Sequence, residues 1–174
     1  MITKTYIETM ARYNCWQNQS IFREADMLGD GERRKDRGAF FGSIHRTLSH
    51  LMWGDTMWMH RFSGSDLPAI TDITKSGELI EDWQEFKLQR SQMDERILKW
   101  ADATDENIGE RDLSWYSGLL QKDLTKPYGL LITHFFNHQT HHRGQVHAMI
   151  TAAGGKPDDT DLGFMPDNIE FRQL

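Results

Sequence analysis

Five of the eight histidines in the chain fall within residues 133–147, THFFNHQTHHRGQVH. A helix advances about 100° per residue, so His138 and His142 would lie about 40° apart, one turn above the other. That spacing lets two imidazoles reach one metal ion, as in the paired histidines of zinc-protease helices. The protease general base is missing, because Gln139 and not Glu follows His138. His134, one turn before His138, and His141, three residues after it, are alternative ligands on spacing alone. His147 is read as facing solvent.

The face carrying the pair is more informative than the spacing. Leu131, Phe135, His138, His142, Gln145, Met149 and Ala152 recur at steps of four and three, so the two rings interrupt the apolar stripe that should face a core. An unpaired buried polar group costs roughly 1–3 kcal/mol. A metal ion would satisfy one nitrogen of each ring and leave the other N–H for a nearby acceptor. The alternative is a pair of core histidines bonded to neighbouring helices, or a pair at a solvated mouth. A third ligand should come from a facing helix, where His45, His50, Asp55 and His60 are available. His45 and His60 sit near that helix's ends, whereas His50 is central. Asp55 reads equally as a ligand, as an acceptor behind a ligand, or as half of a buried salt bridge with Arg12 or Arg90.

Four segments have the period to position these groups. Residues 3–28 place Ile7, Met10, Tyr13, Ile21, Ala25 and Leu28 near helical spacing, and Gly29-Asp30-Gly31 ends them. Residues 30–38 (DGERRKDRG) read as a polar connection. A second helix over 39–62 carries the seam Ile44, Leu48, Leu51, Asp55, Trp58 and Phe62, stopped by Ser63-Gly64-Ser65 and Pro68. A third over 79–101 repeats the pattern with Leu79, Trp83, Phe86, Arg90, Met93, Ile97 and Trp100. The 62–77 link is too long for a tight turn, so helices two and three need not be antiparallel neighbours. Residues 111–126 suggest a short β-hairpin around Gly118. Pro127 suits the first turn of a fourth helix running to about residue 153, closed by Gly154-Gly155 and Pro157. The tail beyond it is expected to be ordered where Leu162, Phe164 and Phe171 dock. These elements predict an all-α four-helix bundle in one domain, 1–174, with a hairpin between helices three and four.

The totals narrow the function classes. At 174 residues, with nine Phe and six Trp, the chain can bury a sizeable core and is far from a disordered composition. Net charge is −6, and Arg33-Arg34-Lys35 is the longest basic run. Nucleic-acid binding depends on neutralising phosphates, so a DNA or RNA partner is disfavoured. Cys15 is the single cysteine, which removes intramolecular disulfides and cysteine-based zinc clusters; its expected role is packing. The first residues lack an apolar signal core, and no stretch approaches ~18 uninterrupted apolar residues. A soluble, cytoplasmic protein without a membrane partner is expected.

Four stretches taken together resemble the DinB-like (DinB/YfiT) metalloenzyme family. They are residues 13–18 (YNCWQN), 50–55 (HLMWGD), 137–145 (NHQTHHRGQ), and the tail 154–157 (GGKP) with 160–162 (TDL). The resemblance spans nearly the whole chain. It implies a bundle in up-down-down-up order and a divalent ion, such as zinc, nickel or iron, held by His50, His138 and His142. The family name marks damage-inducible expression of its founding members and implies no DNA binding. Three neutral imidazoles leave a metal with open positions, the catalytic pattern. Relatives in the wider superfamily imply thiol-dependent transfer or isomerisation with a low-molecular-weight thiol, and hydrolysis is the other chemistry open to such a centre. Asp55 and, after it, His141 are the candidate bases, and Gln145 could orient a small-molecule substrate or a water. Arg143 points about 100° off the metal face and is expected in a helix-packing salt bridge. The rival reading is a non-catalytic, metal-stabilised stress-response or dimerisation module. Surplus Met52, Trp53, Met57, Trp58 and Met59 would supply a homodimer face, a pocket wall or simply a wide core face.

Overall fold

Each of the first three long helices begins where a short polar side chain accepts a hydrogen bond from the first turn. The structure, a computed structural model, describes residues 2–169 and 174. Thr3 caps α1 (Lys4–Met27) by accepting from the Tyr6 amide, Ser43 caps α3 (Ile44–Ser63) from the Arg46 amide, and Asp82 caps α4 (Trp83–Ala103) from the Glu85 amide. α3 ends on Gly64, whose φ of 70° is the left-handed conformation that glycine adopts without strain. The hairpin pairs β1 (Asp112–Ser117) with β2 (Lys122–Pro127), Ser117 opposite Lys122 and Asp112 opposite Pro127. α5 (Tyr128–Ala152) follows directly, so Pro127 both closes the hairpin and takes the N-cap position of the helix, one residue before its first turn.

Several boundaries differ from the sequence expectation, among them the third helix, which starts at Trp83 after its Asp82 cap and not at Leu79. The second long helix starts at Ile44, because Ser43 takes the capping position and Ala39 forms an isolated bridge with Gly42. The charged stretch read as a connection contains a short helix, α2 (Gly29–Arg34). Arg33 explains it: the side chain is buried, donates to the carbonyls of Ala25 and Asp26 at the end of α1, and lies over the Trp83 ring at 4.4 Å. Six polar residues show no periodicity, so the motif is invisible to a hydrophobic pattern.

Cross-helix contacts fix the directions. On α1 and α4, Lys4 meets Asp102, Asn18 meets Asp94 and Asp26 meets Trp83, an antiparallel pair. On α3 and α4, His45 packs on Trp83, Asp55 pairs with Arg90 and Phe62 stacks on Trp100, a parallel pair. α5 runs parallel to α1 (Tyr6 to Phe136, Tyr13 to Arg143) and antiparallel to α3 (His50 to His142, Phe62 to Tyr128). The order is therefore up-down-down-up, and the link after α3 is the crossover its length permits.

The seams read from the sequence meet inside. Ile44, Leu48, Phe86, Ile97, Ile132, Phe135 and Phe136 are fully buried, each contributing about 1.5–3 kcal/mol of transfer free energy. Met52, Trp53, Trp58 and Met59 are buried within the chain as well, so most of the surplus apolar circumference of α3 is core, and Met57 is half-buried. Among the described residues the tail is held largely by polar contacts, and of its apolar residues Leu174 packs against the core. Leu162 and Phe164 are exposed, and Phe171 lies outside the described residues. Tyr13 and Gln17 donate to the carbonyls of Thr160 and Asp159, and Arg12 to those of Pro166 and Asp167.

Candidate metal centre

α3 and α5 bring His50, His138 and His142 together. One ligand nitrogen from each lies within 4.8 Å of the other two. Nε2 of His50 and Nε2 of His138 are 3.1 Å apart. Two nitrogens bound about 2.0–2.1 Å from one tetrahedral ion would be about 3.3 Å apart, so the His50–His138 pair has the spacing a single ion needs and His142 is within reach of it.

Neighbouring hydrogen bonds fix which nitrogen faces the centre. Ser76 Oγ donates to the Ile73 carbonyl (2.7 Å) and so accepts from His50 Nδ1–H (2.8 Å). That leaves the His50 Nε2 lone pair free. On α5, His142 Nδ1–H donates to Gln145 Oε1 (2.8 Å), which frees its Nε2 in the same way. The Gln145 amide N–H in turn donates to His141 Nε2 (3.2 Å). Such acceptors behind the ligands hold ring orientation and raise ligand basicity.

Burial does the rest. Desolvation, with the charge of His142 second, pushes His50 down to about 4. Desolvation and the surrounding histidines push His138 down to about 3, and burial lowers His142 too. All three rings are neutral at pH 7, the form a metal needs. Phe41 stacks on His50 with ring centroids 4.0 Å apart and meets His142 edge-on at 5.6 Å. One side of the group opens into a cleft of about 810 Å³. Its lining combines Phe40, Phe41, Ile73 and Leu119 with the polar side chains of Arg46, Thr74, His141 and Gln145.

The other candidates find different partners. His45 Nε2 bonds the Ile80 carbonyl, His60 Nδ1 bonds the Ser65 carbonyl, and His134 stands edge-on to Trp58. Asp55, the polar member of its seam, meets Arg90, the polar member of the facing seam, at 2.7 Å, both only 1 % exposed. Its second oxygen accepts from Gln139 (2.8 Å), which accepts in turn from Asn14. Arg90 also reaches Asp94 at 2.8 Å, and Asn18 donates to that carboxylate. Arg12 of α1, the other partner considered for Asp55, turns instead to the tail, where it donates to the Pro166 and Asp167 carbonyls. Arg143 does not form the expected salt bridge. Among the described residues no carboxylate pairs with it; the guanidinium lies 5.6 Å from the Tyr13 ring, and burial pushes it down to about 10. Cys15 is buried, its thiol pushed up to about 12 by desolvation, which makes it packing and not a nucleophile.

Three contributors escaped the sequence reading. Ser76 and Phe41 lie outside the long helices and carry no spacing signal. Gly54 did carry one: it stands four residues after His50 in a helix otherwise free of breakers. A Cβ at this position would lie 2.8 Å from His138 Cε1.

The fold and site define a four-helix bundle whose antiparallel α3 and α5 carry a three-histidine group able to hold a metal ion. The DinB family model matches residues 1–170, and the chain belongs to the DinB family. It is similar to Protein DinB of Bacillus subtilis (strain 168), at 29% identity over 157 residues, covering 87% of this chain and 88% of that protein. No solved structure matches the chain.

Proposed function

We propose that this protein is a metal-dependent enzyme acting on a small molecule, with one divalent ion held by His50, His138 and His142. The observation that carries the reading is the convergence of three neutral imidazoles, two of which, His50 and His142, line an open cleft of about 810 Å³. A structural metal would be enclosed by four protein ligands, whereas a catalytic one keeps an open position. A divalent ion there would supply Lewis acidity, lowering the pKa of a thiol or water offered as a further ligand. Zinc, nickel and iron all suit imidazole donors.

The chain's own groups do the positioning. Ser76 and Gln145 fix the tautomers of His50 and His142, and Phe41 walls off one side of the group. Asp55 is engaged by Arg90 and Gln139, so its assigned role is to tie α3 to α4 and α5 beneath the centre. Gln145 is occupied on both ends of its amide and acts through His142. The net charge of −6 favours a small molecule over a phosphate-rich polymer. Among the described residues no helix is long and apolar enough to cross a membrane.

Cobalt substitution tests the reading. A small thiol such as 2-mercaptoethanol should produce a sulfur-to-cobalt charge-transfer band in the cobalt-loaded protein, and His50→Ala should abolish it. A cobalt-loaded protein that gives no band with any thiol would favour the alternative, a metal-stabilised module without catalysis.

A further inference from the structure

The cleft above the histidines holds a charge that the metal-centre reading, on which this inference rests, does not use. Arg46 lies four residues before His50 on α3, one helical turn away, and lines the same cleft. That step is about 6 Å along the helix axis. Arg46 Nη1 reaches Glu78 Oε1 at 3.0 Å, but the side chains are 46% and 51% exposed, an arrangement that contributes little and is readily exchanged. Glu78 is not among the lining residues, and among the described residues no carboxylate lines the cleft.

Two further features describe a ligand. Phe40 is 86% exposed and Leu119, at the hairpin turn, is 73% exposed, although both border the cleft; with Ile73 they form an apolar wall that the apolar body of a ligand would cover. Three neutral imidazoles also leave the charge of a divalent ion uncompensated, and Arg46 adds another positive charge a turn away. Charges of one sign focused in a low-dielectric cleft favour a ligand of the opposite sign.

We propose that the cleft selects a small anionic amphiphile and that Arg46 is its specificity-determining residue. Such a ligand places a metal-binding donor at the histidines, an aromatic or branched apolar body against Phe40, Ile73 and Leu119, and a carboxylate at Arg46, one helical turn before His50. Arginine suits this role because its planar fork matches a carboxylate.

The probes are 4-(mercaptomethyl)benzoate and its uncharged amide, titrated into cobalt-loaded full-length protein and followed by the charge-transfer band. The acid should bind about tenfold tighter than the amide, the difference expected for one charge-assisted hydrogen bond. Arg46→Gln should bring the acid down to the amide's affinity, with cobalt content unchanged, and Arg46→Lys should keep part of the preference. Equal binding of acid and amide by the unaltered protein would overturn the proposal, a comparison that needs no variant to fold. Survival of the acid's preference in Arg46→Gln would overturn it as well. Absence of a band with both probes would instead sink the open-site reading, and this inference with it.

Discussion

A Cβ built on Gly54 would stand 2.8 Å from Cε1 and 3.3 Å from Nδ1 of His138, so the ring of this ligand fills the space a side chain at 54 would need. Glycine in a helix interior costs about 0.5–1 kcal/mol relative to alanine. Gly54→Ala should therefore leave the metal-free protein unfolding at the same temperature or higher, while zinc affinity drops at least about tenfold because His138 is displaced from its partners. Calorimetry and zinc competition measured on the same sample check this. Unchanged zinc affinity would show that His138 moves freely and that Gly54 has no positioning role.

Ser76 acts on the centre from the link between α3 and α4. Ser76→Ala leaves His50 Nδ1–H without its acceptor and frees the ring to rotate. Metal affinity should fall about 10–100-fold, with helix content by circular dichroism preserved. An affinity within twofold of the unaltered protein would mean that Phe41 stacking alone holds the His50 ring.

Asp55 separates a structural from a coordinating role. Asp55→Asn removes one of the two carboxylates on the buried Arg90 and leaves Asp94 as its counter-charge, so it should cost about 1.5–3 kcal/mol in denaturant unfolding. One metal ion per chain should still be retained. Loss of the metal with little loss of stability would make Asp55 a ligand.

The pH dependence follows from the depressed histidines. Unfolded His50 and His138 take up protons near pH 6.5, whereas in the folded state they do so near 4 and 3. Between these limits the unfolded chain binds more protons, so stability of the metal-free protein falls as pH drops from about 6.5 toward 4. The slope of unfolding free energy against pH should shrink in His138→Asn. An identical slope in that variant would place the acid sensitivity in the carboxylates.

The four long helices and the His138–His142 pair were legible in periodicity and spacing, whereas the helix order and the choice of His50 as the third member came from the family resemblance. The stripe broken by His138 and His142 pointed to a buried polar group on α5, and the seams that paired Asp55 with Arg90 carried their own odd members. What sequence periodicity missed came from contacts between distant segments. Arg33 forms a short helix by capping α1, Ser76 reaches His50 across 26 residues, and the tail is held through backbone carbonyls that no side-chain pattern encodes. Arg143 was expected in a salt bridge, because helix rotation gives a direction but not the partner waiting there. Gly54 was visible as an unexplained glycine, and its meaning needed the position of a ring on another helix.

The metal content of protein purified without a histidine tag or nickel resin tests the central claim most directly. Elemental analysis should find about one divalent ion per chain in the unaltered protein and in His60→Ala and His147→Ala, and almost none in the His138→Ala, His142→Ala double variant. Full occupancy in the double variant would contradict the assignment of the ion to His50, His138 and His142.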